Sequence, residues 1–179
     1  MGGRRAGAGW RRTVALALAA LALGGCTTTG DTVDARDQLS TRPSFEAAER
    51  DYLALLGDVR ATVDAASPGL QWRDDTASRS DRGVCGAPFD RVEGAKTGIY
   101  TSGDAVGAIP DERWPEVVAS VTDVLRDRGF GEVTVLQDEP GSHEISVGDP
   151  ATGARVVLGT NVNTILTLYG ACFLVEDGG

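Results

Sequence analysis

Three cysteines and a single histidine carry the most reactive side chains of this 179-residue chain, and each sits in a different setting. Cys26 follows Leu23-Gly24-Gly25, which closes an apolar run over residues 13–23 behind a start that holds Arg4, Arg5, Arg11 and Arg12 and no acid. A basic start, a short apolar run and small residues before the cut describe a secretory leader. The residue after the cut is a thiol, the nucleophile that accepts a diacylglyceryl group, so cleavage is expected between Gly25 and Cys26 with lipid on Cys26. An uncleaved membrane helix fits less well, because the run at 13–23 rises only about 16 Å as a helix, half of a ~30 Å hydrocarbon core.

With Cys26 committed to lipid, Cys85 and Cys172 remain in an oxidising compartment and are expected to pair. Closing so long a loop contributes roughly 4 to 5 kcal/mol in the chain-entropy model. The alternative, a nucleophilic or redox thiol, has neither a Cys-x-x-Cys spacing nor a histidine nearby in sequence. His143 stands between Ser142 and Glu144, the residue types of a hydrolase relay. Neighbours on a strand point to opposite faces, and no Gly-x-Ser-x-Gly turn is present, so the triplet is expected to be a polar turn end. One histidine and two paired cysteines cannot furnish a zinc site, and neither a P-loop nor Gly-x-Gly-x-x-Gly occurs; no metal and no cofactor is expected.

Carboxylates are the remaining candidates. Asp31, Asp34 and Asp37 recur every third residue, whereas a calcium loop places ligands at alternate positions around a turn glycine, which points to solvation. Asp74 and Asp75 are adjacent within a polar stretch and read as a surface loop. Among 26 acids a glycosidase pair stays open as an alternative. Trp72, Tyr100 and Trp114 could line a sugar or acyl groove, although helical spacing assigns Trp114 to the core.

The elements that must position these residues divide the chain into a signal peptide at 1–25, a flexible tether at 26–43 and a single α+β domain at 44–179. The tether is rich in Thr, Asp, Gly, Arg and Ser, and a coil of that length reaches about 20 to 25 Å. Ser44 can cap a helix whose stripe is Phe45, Ala48, Tyr52, Leu55, Leu56, Val59, Val63 and Ala66, stopped by Pro68-Gly69. A second helix starts near Asp111 with Pro115 in its first turn, shows Trp114, Val117, Val118, Val121, Val124 and Leu125 on one face, and stops at Gly129 with Phe130 folded back on Leu125. Strands are expected at 133–136, 143–147, 155–158 and 164–174, joined by short turns into an antiparallel meander, with Leu166, Leu168, Cys172 and Leu174 on one face of the last. Weaker strands fall at 70–73, 84–89 and 97–101, and the polar stretch 74–82 is expected to be a loop. The fold class is therefore α+β: a mostly antiparallel sheet, two amphipathic helices packed on one face, and one disulfide.

Loss of the leader's four arginines takes the formal charge from −9 to −13. That excess of carboxylates repels a phosphate backbone, which excludes nucleic acid as a partner and favours cationic ones.

Cys85-Gly86, the run at 109–131 (IPDERWPEVVASVTDVLRDRGFG), the segment at 140–149 (PGSHEISVGD) and the terminal GTNVNTILTLYGAC at 159–172 together resemble the mycobacterial LppA/LppV-like family of lipoproteins, over most of residues 43–175. The resemblance implies an envelope lipoprotein with a small α+β domain, and it transfers no catalytic or ligand-binding residue. The expected role is an exported lipoprotein held on the extracytoplasmic side of the cell membrane by its lipid, acting as a non-enzymatic module for an envelope protein, glycan or lipid. A cell-wall glycan hydrolase using paired carboxylates and an accessory subunit of an envelope transport complex are the alternatives.

Overall fold

The computed structural model describes residues 28–73 and 76–176, so the leader, Gly25, Cys26, Asp74 and Asp75 lie outside the described residues. Two of its helices follow the sequence stripes. In α2 (Phe45–Ala66) all eight residues of the expected stripe are buried, and the Ser44 hydroxyl accepts the Ala47 N–H at the cap. In α3 (Trp114–Asp127), Trp114, Val117, Val121 and Leu125 are buried, while Val118 and Val124 pack at the margin. Gly129 takes φ +87°, which lets the Phe130 N–H reach the Leu125 carbonyl at 3.0 Å and the Gly129 N–H reach that of Arg126 at 3.0 Å. This paired C-terminal closure satisfies the Leu125 and Arg126 carbonyls, and it drives the Phe130 ring into the core.

Among the described residues, eight antiparallel strands form the sheet: β1 (Gln71–Trp72), β2 (Ser78–Gly83), β3 (Ala95–Val106), β4 (Val133–Glu139), β5 (Ser142–Gly148), β6 (Arg155–Thr160), β7 (Asn163–Tyr169) and β8 (Phe173–Leu174). The order is β1-β3-β7-β6-β5-β4, and β2 and β8 also pair with β3. Helices α2 and α3 pack together on one face, where Ile145, Val147, Val156, Leu158, Leu166 and Leu168 complete the main core. The fold class is thus α+β with an antiparallel sheet and a Cys85–Cys172 disulfide, whose Cα atoms stand 5.8 Å apart.

Several expectations need correction. Part of the segment read as a flexible tether is a helix, α1 (Thr28–Ser40). Its Ala35 and Leu39, one turn apart, are buried in a small second core with Val92, against which Phe89, Ala95, Cys172 and Leu174 pack. Two apolar residues make too thin a stripe to announce a helix, and their partners lie fifty or more positions away. The polar stretch at 74–82 contributes β2, because Arg79 and Arg82 do the covering that apolar residues would normally do: each guanidinium lies 5.8 Å from the centroid of the Phe45 ring. Residues 84–89 form no strand and instead turn, leaving Val84 87% exposed. The strand expected over 164–174 breaks at Gly170, where an added Cβ would meet the Gly98 carbonyl at 3.0 Å and the rings of Tyr100 and Tyr52 at 3.1 Å. Beyond the break the inward positions change parity: Phe173 joins the main core, while Cys172 and Leu174 face α1.

Candidate functional site

His143 is buried, and both its ring nitrogens are occupied. Nδ1 lies 2.8 Å from Asp138 Oδ1 and Nε2 lies 3.1 Å from Asp111 Oδ1, while the imidazole stacks on Trp114 with centroids 5.2 Å apart. The alternation of β5 turns His143 toward the helices, and the bend at Pro140-Gly141, with Gly141 at φ +75°, returns β4 so that Asp138 lies beside it. Asp111, just ahead of α3, completes the bridge and accepts the Gly141 N–H at 2.9 Å. Burial pulls the imidazole pKa down from 6.5, but the carboxylates of Asp111 and Asp138 outweigh it and the net shift is upward. The hydrogen bond from His143, helped by the Gly141 N–H, lowers the pKa of Asp111. The arrangement is a clamp joining the β4–β5 hairpin to the entry of α3. A general base needs a free lone pair, and here both nitrogens face carboxylates. Ser142 and Glu144 alternate to the other side of β5, and a hollow of about 230 Å³ at the start of that strand is lined by both of them, by His143, and by Gln137, Asn161 and Asn163.

A second cavity has a different character. It measures about 360 Å³ and lies where α2, the end of α3, the β5–β6 turn and β8 meet. Ala48, Leu55, Phe130 and Phe173 supply apolar walls; Tyr52, Asp51, Asp149, Thr152 and Arg128 supply the polar groups. The Tyr52 ring packs edge-on to Phe173 at 5.9 Å, and its hydroxyl accepts the Ala171 N–H at 3.4 Å. Burial raises the pKa of this phenol, so it enters the cavity as a neutral hydroxyl. Asp149 is fixed by its own turn, accepting the Ala151 N–H at 2.8 Å and the Thr152 hydroxyl. Arg128 is bound to Asp58 at 2.5 Å. Asp51 is exposed and engages no hydrogen bond or ion pair among the described residues. The mouth of this cavity therefore has an excess of negative charge over an apolar floor.

The aromatic candidates are not gathered into one groove. Tyr100 is 1% exposed, packs on Tyr52 at 5.5 Å and has its pKa pushed up to about 12 by burial. Trp114 belongs to the core, and Trp72 donates from Nε1 to Asp64 at 2.7 Å. Among the described residues no group of three or more His, Cys, Asp or Glu is arranged to hold a metal ion. No described helix is long and apolar enough to cross a membrane. The cavity itself escaped the sequence, since its walls come from residues 43 to 173 and no local pattern links them.

The model of the LppA family, described as a lipoprotein confined to pathogenic Mycobacterium, matches residues 24–176 of this chain. No curated protein sequence matches it. Among solved structures, the crystal structure of LppA from Mycobacterium tuberculosis is similar with a TM-score of 0.61 at 23% identity, covering 83% of this chain and 89% of that one. At that identity the likeness is one of fold.

Proposed function

The chain belongs to the LppA family of lipoproteins, and from that premise we propose that it is an envelope protein anchored through lipid on Cys26, and that its domain is a non-enzymatic binding module whose ligand enters the cavity around Tyr52. The family match begins at residue 24 and so takes in Gly25 and Cys26, which supports the anchor. The observation that carries the binding role is the combination of apolar floor and acidic mouth in a cavity of about 360 Å³, the size and make-up of a small-molecule site. The unpaired Asp51, the Asp149 carboxylate and the overall acidity select a ligand with an apolar body and a cationic end.

A hydrolytic reading of the same two carboxylates is less well supported. A glycosidase needs one carboxyl held protonated by burial or by a close like charge. Asp51 is exposed, and Asp149 is neither buried against a like charge nor free, since both its oxygens are engaged by donors from its own turn.

Titration of the lipidated protein with phenethylammonium, phenethyl alcohol and phenylacetate tests the reading by calorimetry. The ammonium should bind best and the carboxylate worst, and Asp51→Asn should weaken the ammonium severalfold while leaving the alcohol unchanged. Equal affinities for all three probes, or no heat from any of them, would remove the cavity from the proposal.

A further inference from the structure

We propose that α1 is a rigid mount that fixes one end of the domain, the first turn of α1 together with the loop at 87–91, against the lipid headgroup surface. The inference rests on lipidation at Cys26 and goes beyond it, because a lipid on a flexible tether would leave the domain free to face any way.

Chain geometry sets the distance. Only Thr27 separates Cys26 from the first residue of α1, and two virtual bonds span at most about 7 Å. The helix is in turn held to the domain at several points. Ala35 and Leu39 are buried against Val92 and its neighbours; the Arg36 guanidinium donates to the Glu93 carbonyl at 3.0 Å; and Arg42, just past the helix, donates to the Cys172 carbonyl at 2.9 Å and lies 5.2 Å from the Phe89 centroid. The Cys85–Cys172 bridge ties together the chain segments on which α1 rests. From Thr28 onward the described chain is therefore helix held on the domain, which restricts how far the domain can swing.

Strand register says which end faces the lipid. Asp31 and Thr32 of the first described turns share a hollow with Ala87, Pro88 and Arg91, placing that loop beside the anchored end of α1. Ala95 at the start of β3 pairs with Leu174 beneath α1, whereas Val106 at its end pairs with Asn163 beside the β6–β7 turn. At ~3.3 Å per residue, β3 separates the two ends by roughly 35 Å. The mount end carries Asp31 and Asp90 as well as Arg91, so the covalent anchor and the rigid helix, not charge attraction, hold it at the surface.

The test uses the lipidated protein in phosphatidylcholine vesicles that carry a headgroup spin label, with a fluorophore on Arg91→Cys or on Val162→Cys. The probe at 91 should be quenched several times more strongly than the probe at 162, and adding Leu39→Asp should erase most of that contrast while the protein still sediments with vesicles. Equal quenching at the two positions in a vesicle-bound protein would overturn the mount and leave the anchor standing, as would a contrast that Leu39→Asp leaves untouched. If the protein fails to sediment, and Cys26→Ala sediments no less, the anchor itself is wrong and the mount falls with it.

Discussion

His143 couples fold stability to proton concentration, because an imidazole between two carboxylates is complete only when both its nitrogens carry hydrogen. In the neutral form one nitrogen would present a lone pair to a carboxylate. The raised folded-state pKa means that the clamp's contribution is full below the ordinary value of 6.5 and is lost as pH rises through the raised value. The lowered pKa of Asp111 sets the acid side: its contribution is present above 3.8 and is lost as pH falls through the lowered value. His143→Gln should therefore lower the melting temperature more at about pH 5 than at about pH 9. A penalty independent of pH would reduce His143 to a packing residue stacked on Trp114. The opposite facing of Ser142 and His143 was legible in the period of a strand. The partnership with Asp111 was not, since it spans 32 positions and depends on how α3 is set against the hairpin.

At the scale of elements, the long-range staple and the short-range stop make separable demands. Cys85 and Cys172 close a loop with a sequence separation of 87, and the chain-entropy model gives roughly 4 to 5 kcal/mol for such a bridge. Paired Cys85→Ser and Cys172→Ser substitutions, or reductant, should lower stability by several kcal/mol in denaturant titrations, and a loss below about 1 kcal/mol would count against the staple. Gly129→Ala forces a side chain into φ +87° and should cost about 1 to 2 kcal/mol, with the damage centred on the α3–β4 connection. Leu56, fully buried in α2, should cost about 2 to 5 kcal/mol on truncation to Ala. These elements were readable in the sequence because their burial is periodic: the stripe of α2 matches its buried residues one for one. Where burial is not periodic, the sequence carries no such signal. The six residues of β2, SRSDRG, hold their place through backbone pairing with β3 and through arginines laid over Phe45. In α1 two buried residues have meaning only once the disulfide-tied segment beneath them is known.

For the whole molecule, register divides the features between two ends of one sheet. Tyr169 pairs with Arg155 and Gly148 with Arg155, so the β5–β6 turn, the start of β3 and β8 share an end with α1, and the cavity around Tyr52 opens there. The His143 clamp and the β6–β7 turn lie at the other end, since His143 pairs with Thr160 and Thr160 with Thr164. A mounted domain would thus hold its cavity near the headgroups and send its clamped hairpins outward. Proteolysis gives a readout independent of fluorescence. A protease site inserted between Asn161 and Val162, both exposed, should be tolerated and should be cut equally fast on vesicles and in detergent. The same site inserted after Pro88 should be cut readily in detergent but slowly on vesicles, because a bilayer at the mount end leaves a protease no room to bind. Matching rates at both positions on vesicles would mean that the domain turns freely above the membrane, and that the cavity has no fixed relation to the lipid beneath it.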